Sequence, residues 1–388
     1  MLLPRSSLHI SLSRLTLTDF RNYAGLRMEI GSGHVALVGP NGAGKTNLLE
    51  AVSLLVPGRG LRNAAYAEML RDAAPGGWAV AAEVEALSGE VAIGTAWRPA
   101  PSSDGEEAGR QVHVDGIPQK SLASLGEHMR LLWLTPAMDR LFAGPPGDRR
   151  RFFDRLVAAC DSSHVSHLNA YEKAMRERNL LLSEPGPDPN WLSGLEAGMA
   201  EMAAAIAAAR LSALENLQAN IHIGLSQSAF PWAALTLEGE VEKLLAIMSS
   251  VHAESEFRRR LCENRRLDAA AGRTLLGPHR SDLAVVFGPK GMAAAQCSTG
   301  EQKALLIGLI LAQARTVAAA AGAMPMLLLD EVTAHLDSGR RRALFQTLDT
   351  LGVQAWMTGT DEGLFEGLGK AAQFFHVEAG TVSPMTRS

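Results

Sequence analysis

Cysteine is scarce in this chain: 388 residues hold three, Cys160, Cys262 and Cys297. They lack the spacing of a metal-ligand set or a disulfide framework and read as free thiols of a reducing compartment. Aromatic residues make up 5%, and few interleave with the arginine-rich stretches, which argues against base stacking on nucleic acid. Neither sign of charge dominates. Lysine and arginine number 37 against 41 acidic residues, a formal net charge of −4. No general basic field therefore draws the chain to a polyanion, and any such contact rests on local patches. No internal repeat is present. The most membrane-like stretch, Ala304 to Leu329, is interrupted by Gln313, Arg315 and Pro325, and the alanine-rich Met199–Arg210 carries Glu201; neither predicts a spanning helix. "MLLPRSSLHI" holds no apolar segment of signal-peptide length. The expectation is a cytoplasmic protein with no membrane partner.

What is there is a globular composition, 47% apolar, in a chain long enough for two or three domains. "RLTLTDF" and "HVALVG" alternate or run apolar as strands do, and "NLLEAVSLLV" after them has helical spacing. "WAVAAEVEAL", "VAIGTAW" and "QVHVDG" predict an antiparallel patch, with "RPAPSSDGEEAG" as a loop. From Asp139 to Arg273 the pattern turns mainly helical, broken by the turn "SEPGPDPN". "DLAVVF", "MPMLLLD", "VQAWMTG" and "QFFHVEAG" return to strand, and "MPMLLLD" has the apolar run of a strand buried on both faces. The fold class expected is α/β, a P-loop ATPase domain made of residues 1–137 and 274–388 with a helical domain, 138–273, inserted between.

The chemistry-bearing motifs follow that frame. Gly39, Pro40, Asn41, Gly42, Ala43, Gly44, Lys45 and Thr46 spell "GPNGAGKT", G-x-x-x-x-G-K-[ST] between a strand and a helix. Backbone N–H groups of such a loop wrap phosphates, the lysine reaches the β- and γ-phosphates of ATP, and the threonine hydroxyl ligates Mg²⁺. Asp330 and Glu331 end the apolar strand "MLLLDE". The aspartate suits Mg²⁺ and the glutamate is placed to polarise an attacking water as general base. A second anion-binding element is "STGEQKALLIGL", where a polar turn enters an apolar helix. One domain needs one phosphate loop, so this turn is expected to serve a different nucleotide. It resembles the signature loop of ABC- and SMC-type ATPases, which caps the γ-phosphate held by the opposite subunit. Ser298 and Gly300 stand at the serine and second-glycine positions, Thr299 replaces the first glycine, and Glu301 stands where glutamine is usual. "VTAHLD", ending at Asp337, resembles the D-loop that crosses such an interface. ATP would then join two protomers in a closed two-fold pair.

"LTLTDFRNY", "LTPAMDRLFAGPPGDRRRFFD" and "LLGPHRSDL" narrow the resemblance. Together with the ATP motifs in order, they make nearly the whole chain similar to the RecF family, an SMC-like head with a shortened helical arm. That resemblance implies an ATP-dependent, dimeric DNA-binding protein that works with RecO and RecR to load RecA on gapped DNA in repair and replication restart, and so promotes the SOS response. Hydrolysis would be slow and act as a timer. Arg149, Arg150, Arg151 and Arg155, in a helix opened by Pro145 and Pro146, are candidate phosphate contacts, as is the cluster Arg258–Arg260, Arg265 and Arg266; solvated or paired helix faces are the alternative for each. Arg21 and Asn22 either approach the nucleotide or shape a loop. Thr358 and Thr360 stand where many ABC proteins place a switch histidine, and no Q-loop glutamine is evident. A transporter ATPase subunit would need the missing histidine and a glycine-richer signature. A structural SMC-type protein would need hundreds of heptad residues, and a P-loop kinase would need no signature loop.

Overall fold

The computed structural model describes residues 9–86, 89–99, 109–224 and 229–386. Most of the loop expected at "RPAPSSDGEEAG" lies outside them. In chain order the strands are β1 (Ser11–Phe20), β2 (Tyr23–Glu29), β3 (Val35–Val38), β4 (Trp78–Ala86), β5 (Gly89–Trp97), β6 (Arg110–Val114), β7 (Ile117–Pro118), β8 (Leu131–Leu134), β9 (Ala233–Glu238), β10 (Asp282–Phe287), β11 (Met292–Ala293), β12 (Met326–Leu329), β13 (Ala355–Gly359), β14 (Gln373–Glu378) and β15 (Thr381–Met385). The helices are α1 (Lys45–Ser53), α2 (Leu125–His128), α3 (Pro146–Cys160), α4 (His164–Leu182), α5 (Pro189–Gly224), α6 (Glu240–Ile247), α7 (Ser250–Glu263), α8 (Arg265–Ala271), α9 (Thr299–Ala321) and α10 (Ser338–Leu351).

Two compact units emerge. The first takes in both ends of the chain, through Asp139 and from Leu306; the second is Arg140–Leu225 with Pro231–Leu305. In the first, alternation puts Leu15 and Leu17 of β1 on the same face as Ala82 and Val80 of β4, and that face is buried. It forms the antiparallel sheet β2-β1-β4-β5-β6-β7. The all-apolar β3 and β12, and β13 with its single polar side chain Thr358, are buried on both faces and lie parallel inside a second sheet, β15-β14-β3-β13-β12-β8. One core, including Leu48 and Leu49 of α1, Leu37, Leu328 and Trp356, joins the two sheets. Because β13 inserts between β3 and β12, the loops that follow all three open at one sheet edge. Ligand sites of open α/β sheets form at such strand ends.

Sequence periodicity missed several strands, two of which bear on the architecture. "LLWL" of β8 is too short to signal and is a strand only through its parallel register with β12, Leu131↔Met326 to Leu134↔Leu329. β9 falls inside the stretch read as helical and pairs with β10 from Ala233↔Phe287 to Glu238↔Asp282. That pairing keeps residues 274–305 with the second unit rather than with the C-terminal ATPase portion expected from 274 onward. Within this unit, helices pack around Met199, Ile206, Val241 and Phe257, and two fully buried arginines, Arg178 and Arg210, tie them together. α5 and α9 are long and apolar enough, by length and composition alone, to cross a membrane; 67% of the most apolar window of α9 is buried in the protein.

Candidate nucleotide site

The phosphate loop leaves β3 at Val38 and enters α1 at Lys45. Gly44, at the helix N-terminus, has φ +114°, and a Cβ there would lie 2.4 Å from Asn22 Nδ2 and 2.7 Å from Tyr23 Oη. Only glycine fits, for conformation and space alike. Asn22 and Tyr23 hold the loop from behind: Asn22 Nδ2 donates to the Ala43 carbonyl and Tyr23 Oη to the Gly44 carbonyl, both at 3.1 Å. No side chain caps α1, so its first N–H groups and the positive end of the helix dipole remain for an anion. Lys45 is buried, its Nζ donating to the carbonyls of Gly39 (2.7 Å) and Pro40 (2.8 Å). Burial pushes its pKa down, while Glu331 and Asp330 push back. Arg21 and Asn22 both make loop-shaping contacts. Arg21 makes a bidentate pair with buried Glu50 (2.9 and 2.7 Å) and donates to the Glu68 carbonyl.

Opposite the loop, Asp330 is 4% exposed and accepts the Thr46 hydroxyl at 3.0 and 3.1 Å. Burial raises its pKa, with hydrogen bonds from Thr358 and Thr46 working the other way. A desolvated carboxylate touching a hydroxyl beside a phosphate loop is a hard oxygen donor set, and it fits Mg²⁺. Next to it, Glu331 is held at φ +54°, unusual for a residue other than glycine. Its N–H donates to Thr358 Oγ1 at 2.8 Å, and Thr358 Oγ1 donates to Asp330 Oδ1 at 2.8 Å.

The raised pKa of Asp330 makes a prediction for stability. A carboxyl that is easier to protonate folded than unfolded costs stability at pH above its folded pKa, and the loss is relieved as pH falls through that value. Asp330→Asn keeps the shape and removes the charge. It is expected to melt higher than the parent at neutral pH, with the gap closing on acidification, and to lose hydrolysis; calorimetry across that pH range checks it.

Ser298 and Glu301 form a reciprocal cap at the start of α9. Ser298 N–H and Oγ donate to Glu301 Oε2 (3.0 and 2.9 Å), and Glu301 N–H points back to Ser298 Oγ at 3.4 Å. Lys290 Nζ sits 2.6 Å from Glu301; this contact, with the Ser298 donors, takes the Glu301 carboxyl down to about 2. The acid at the usual glutamine position thus closes the turn. Ser298, Thr299 and Gly300 are exposed, and the turn belongs to the second unit. Asp337 caps α10, accepting from Arg340 N–H at 2.9 Å, which with the nearby Arg340 charge depresses its carboxyl.

The arginines of α3 need correction. Arg149 is spent on a bidentate pair with Asp282 (2.9 and 2.7 Å) and on the carbonyls of Phe142 and Gly144. Arg150 donates to the Ser281 carbonyl at 2.8 Å. Arg155 lies 5.7 Å over the Phe152 ring, where burial pushes it down to about 10. Only Arg151, 66% exposed and paired with Asp148, faces solvent broadly. "RRRFFDR" is an internal clamp because Asp282 and Ser281 come from "GPHRSD", which folds against it. His279 of that motif donates from Nε2 to the Thr274 carbonyl, which can only accept, so Nδ1 is left to accept the Tyr171 hydroxyl (both 3.0 Å). In the second cluster Arg259, Arg260 and Arg265 pair with glutamates, while Arg258 and Arg266 are exposed.

Comparison with known proteins follows the same lines. The RecF/RecN/SMC N terminal domain profile matches residues 11–383. "DNA replication and repair protein RecF" of Brucella suis biovar 1 is 51% identical over 375 residues, 96% of each chain. The protein of the same name from Rhizobium etli is 51% identical over 374 residues, 96% of this chain and 98% of its own. Among solved structures, the recombination mediator protein RecF-ATP of the RecFOR pathway has a TM-score of 0.85 at 23% identity, covering 99% of this chain and 100% of that one. The Pyrococcus furiosus Smc head domain has 0.53 at 16%, covering 98% and 96%. At these identities the structural likeness is one of fold: an SMC-like ATPase head carrying an antiparallel sheet and a helical arm.

Proposed function

This chain belongs to the RecF family of DNA replication and repair proteins, and we propose that it binds DNA as an ATP-dependent dimer and hydrolyses the nucleotide slowly to release it. The observation that carries this reading is the Thr46–Asp330 contact beside an uncapped phosphate loop. Gly39 to Thr46 bind and orient the phosphates of ATP, and Lys45 moves from its carbonyls to the β- and γ-oxygens. Thr46 and Asp330 would hold Mg²⁺, which would supply neutralisation of negative charge at the phosphates. Glu331 takes a proton from the attacking water. A second copy supplies Ser298, Thr299 and Gly300 to the γ-phosphate, with Asp337 at the dimer interface, so each protomer completes the other's site. The dimer engages gapped DNA in the cytoplasm and works with RecO and RecR to promote RecA loading and SOS induction.

Sedimentation with and without ATP tests the dimer. Lys45→Met is expected to bind no nucleotide, and Ser298→Arg to bind it while staying monomeric. A Ser298→Arg protein that dimerises with ATP like the parent would remove the shared-site reading. For DNA, Arg151→Ala is expected to leave the fold intact and reduce the salt slope of binding by about one. Arg149→Ala, which strands Asp282, is expected to lower the melting temperature instead. An unchanged slope for Arg151→Ala takes that residue off the contact surface.

A further inference from the structure

We propose that Thr358 is a positioning residue of the hydrolytic site, holding the carboxylate of Asp330 and the backbone of Glu331 at once; this rests on the ATPase reading of that site. The topology puts it there. β13 runs between β3 and β12, and Met357 is the last β13 residue in register with β12, opposite Leu329. One residue further on each strand come Thr358 and Asp330. Thr358 is wholly buried, and its hydroxyl has one proton and two lone pairs. The proton goes to Asp330 Oδ1 at 2.8 Å, and a lone pair takes the Glu331 N–H at 2.8 Å.

Both partners need it. Asp330 sends its own N–H to the Leu134 carbonyl of β8, the last link of the sheet on that side. Glu331, turned out of the sheet by its left-handed φ of 54°, has Thr358 Oγ1 as the acceptor for its N–H. That conformation is held only where the surroundings over-determine it, and a buried β-branched hydroxyl with few rotamers is a rigid anchor. The arrangement also separates the two threonines of "MTGT". Thr358 is committed to the acidic pair, and its proton is already given to Asp330, whereas Thr360 is exposed.

Thr358→Val keeps the branching and bulk and deletes both bonds, while Thr358→Ser keeps the bonds and loses a methyl. The expected result for valine is a kcat lower by about tenfold or more with ATP affinity within about twofold, since misplaced groups penalise the reacting geometry rather than binding. Serine is expected to restore most of the rate. In the protein without nucleotide, hydrogen exchange at the Glu331 amide is expected to speed up in valine and to stay slow in serine. The proposal is overturned if valine exchanges and hydrolyses like the parent, or if serine fails as badly as valine. If the parent chain itself shows no Mg²⁺-dependent hydrolysis, or Glu331→Gln hydrolyses at the parent rate, the ATPase reading has failed and this proposal falls with it.

Discussion

Glu331→Gln is expected to bind ATP, form dimers and then fail to let go. Removing a positioned general base lowers the chemical step by roughly 10² to 10⁴. The substitution costs little else. Glutamine retains the backbone N–H that Thr358 accepts at 2.8 Å and changes neither the Thr46–Asp330 contact nor the loop. If ATP joins two protomers and hydrolysis parts them, a slower chemical step lengthens the dimer's life in proportion. Single-turnover hydrolysis and the decay of the dimer on gel filtration should slow together. A Glu331→Gln protein that remains monomeric at saturating ATP would sink the clamp, and one that dimerises but hydrolyses normally would move the base elsewhere.

Arg178→Ala is expected to give the largest loss of stability. The guanidinium is buried among Glu196 (3.0 Å), Asp268 (2.7 Å), Thr274 Oγ1 (3.0 Å) and the Leu261 carbonyl (2.8 Å). Truncation strands two buried carboxylates, and breaking a buried pair this way costs about 3–5 kcal/mol. Here the lower end applies, because each acid keeps another donor. Glu196 retains Arg265 at 2.6 Å, and Asp268 retains Asn264 Nδ2 at 2.8 Å and the Leu275 N–H at 3.0 Å. Adding Glu196→Gln and Asp268→Asn should recover part of the loss by removing the stranded charge. Arg259→Ala, in an exposed pair on α7, should show no measurable change. Urea unfolding of the four proteins tests the ordering. A loss in Arg178→Ala no larger than in Arg259→Ala would mean that the network contributes nothing.

Local signals carried far in this chain. "GPNGAGKT" announced its loop because glycines at fixed offsets are what a chain needs to turn tightly with its N–H groups inward. "MLLLDE" announced a buried strand ending in two acids. "SEPGPDPN" announced the turn between α4 and α5. What the local pattern did not decide was which partners several polar side chains would meet. Arg149 and Arg150 looked like a phosphate patch because arginine is usually solvated, yet Asp282 and Ser281 lie 133 and 131 residues away in sequence and consume them. Arg21 could be read either as a nucleotide contact or as a loop-shaping residue, and its pairing with Glu50 was not legible from sequence. Glu301 looked like a departure from a motif and is half of a cap. Thr358 carried no decisive signal of its own.

By itself the sequence determined the nucleotide loop, the acidic strand end, the serine-bearing helix start and the order in which they occur, since each is a contiguous stretch whose residue types dictate its backbone. Only the tertiary structure decided which of the cations are spent, which hydroxyl holds the acidic pair, and where β8 and β9 belong. Those depend on strand order and on contacts between residues far apart in sequence, 28 positions for Thr358 and Asp330 and 133 for Arg149 and Asp282, where the free energy of pairing is set by burial and geometry that no local pattern records.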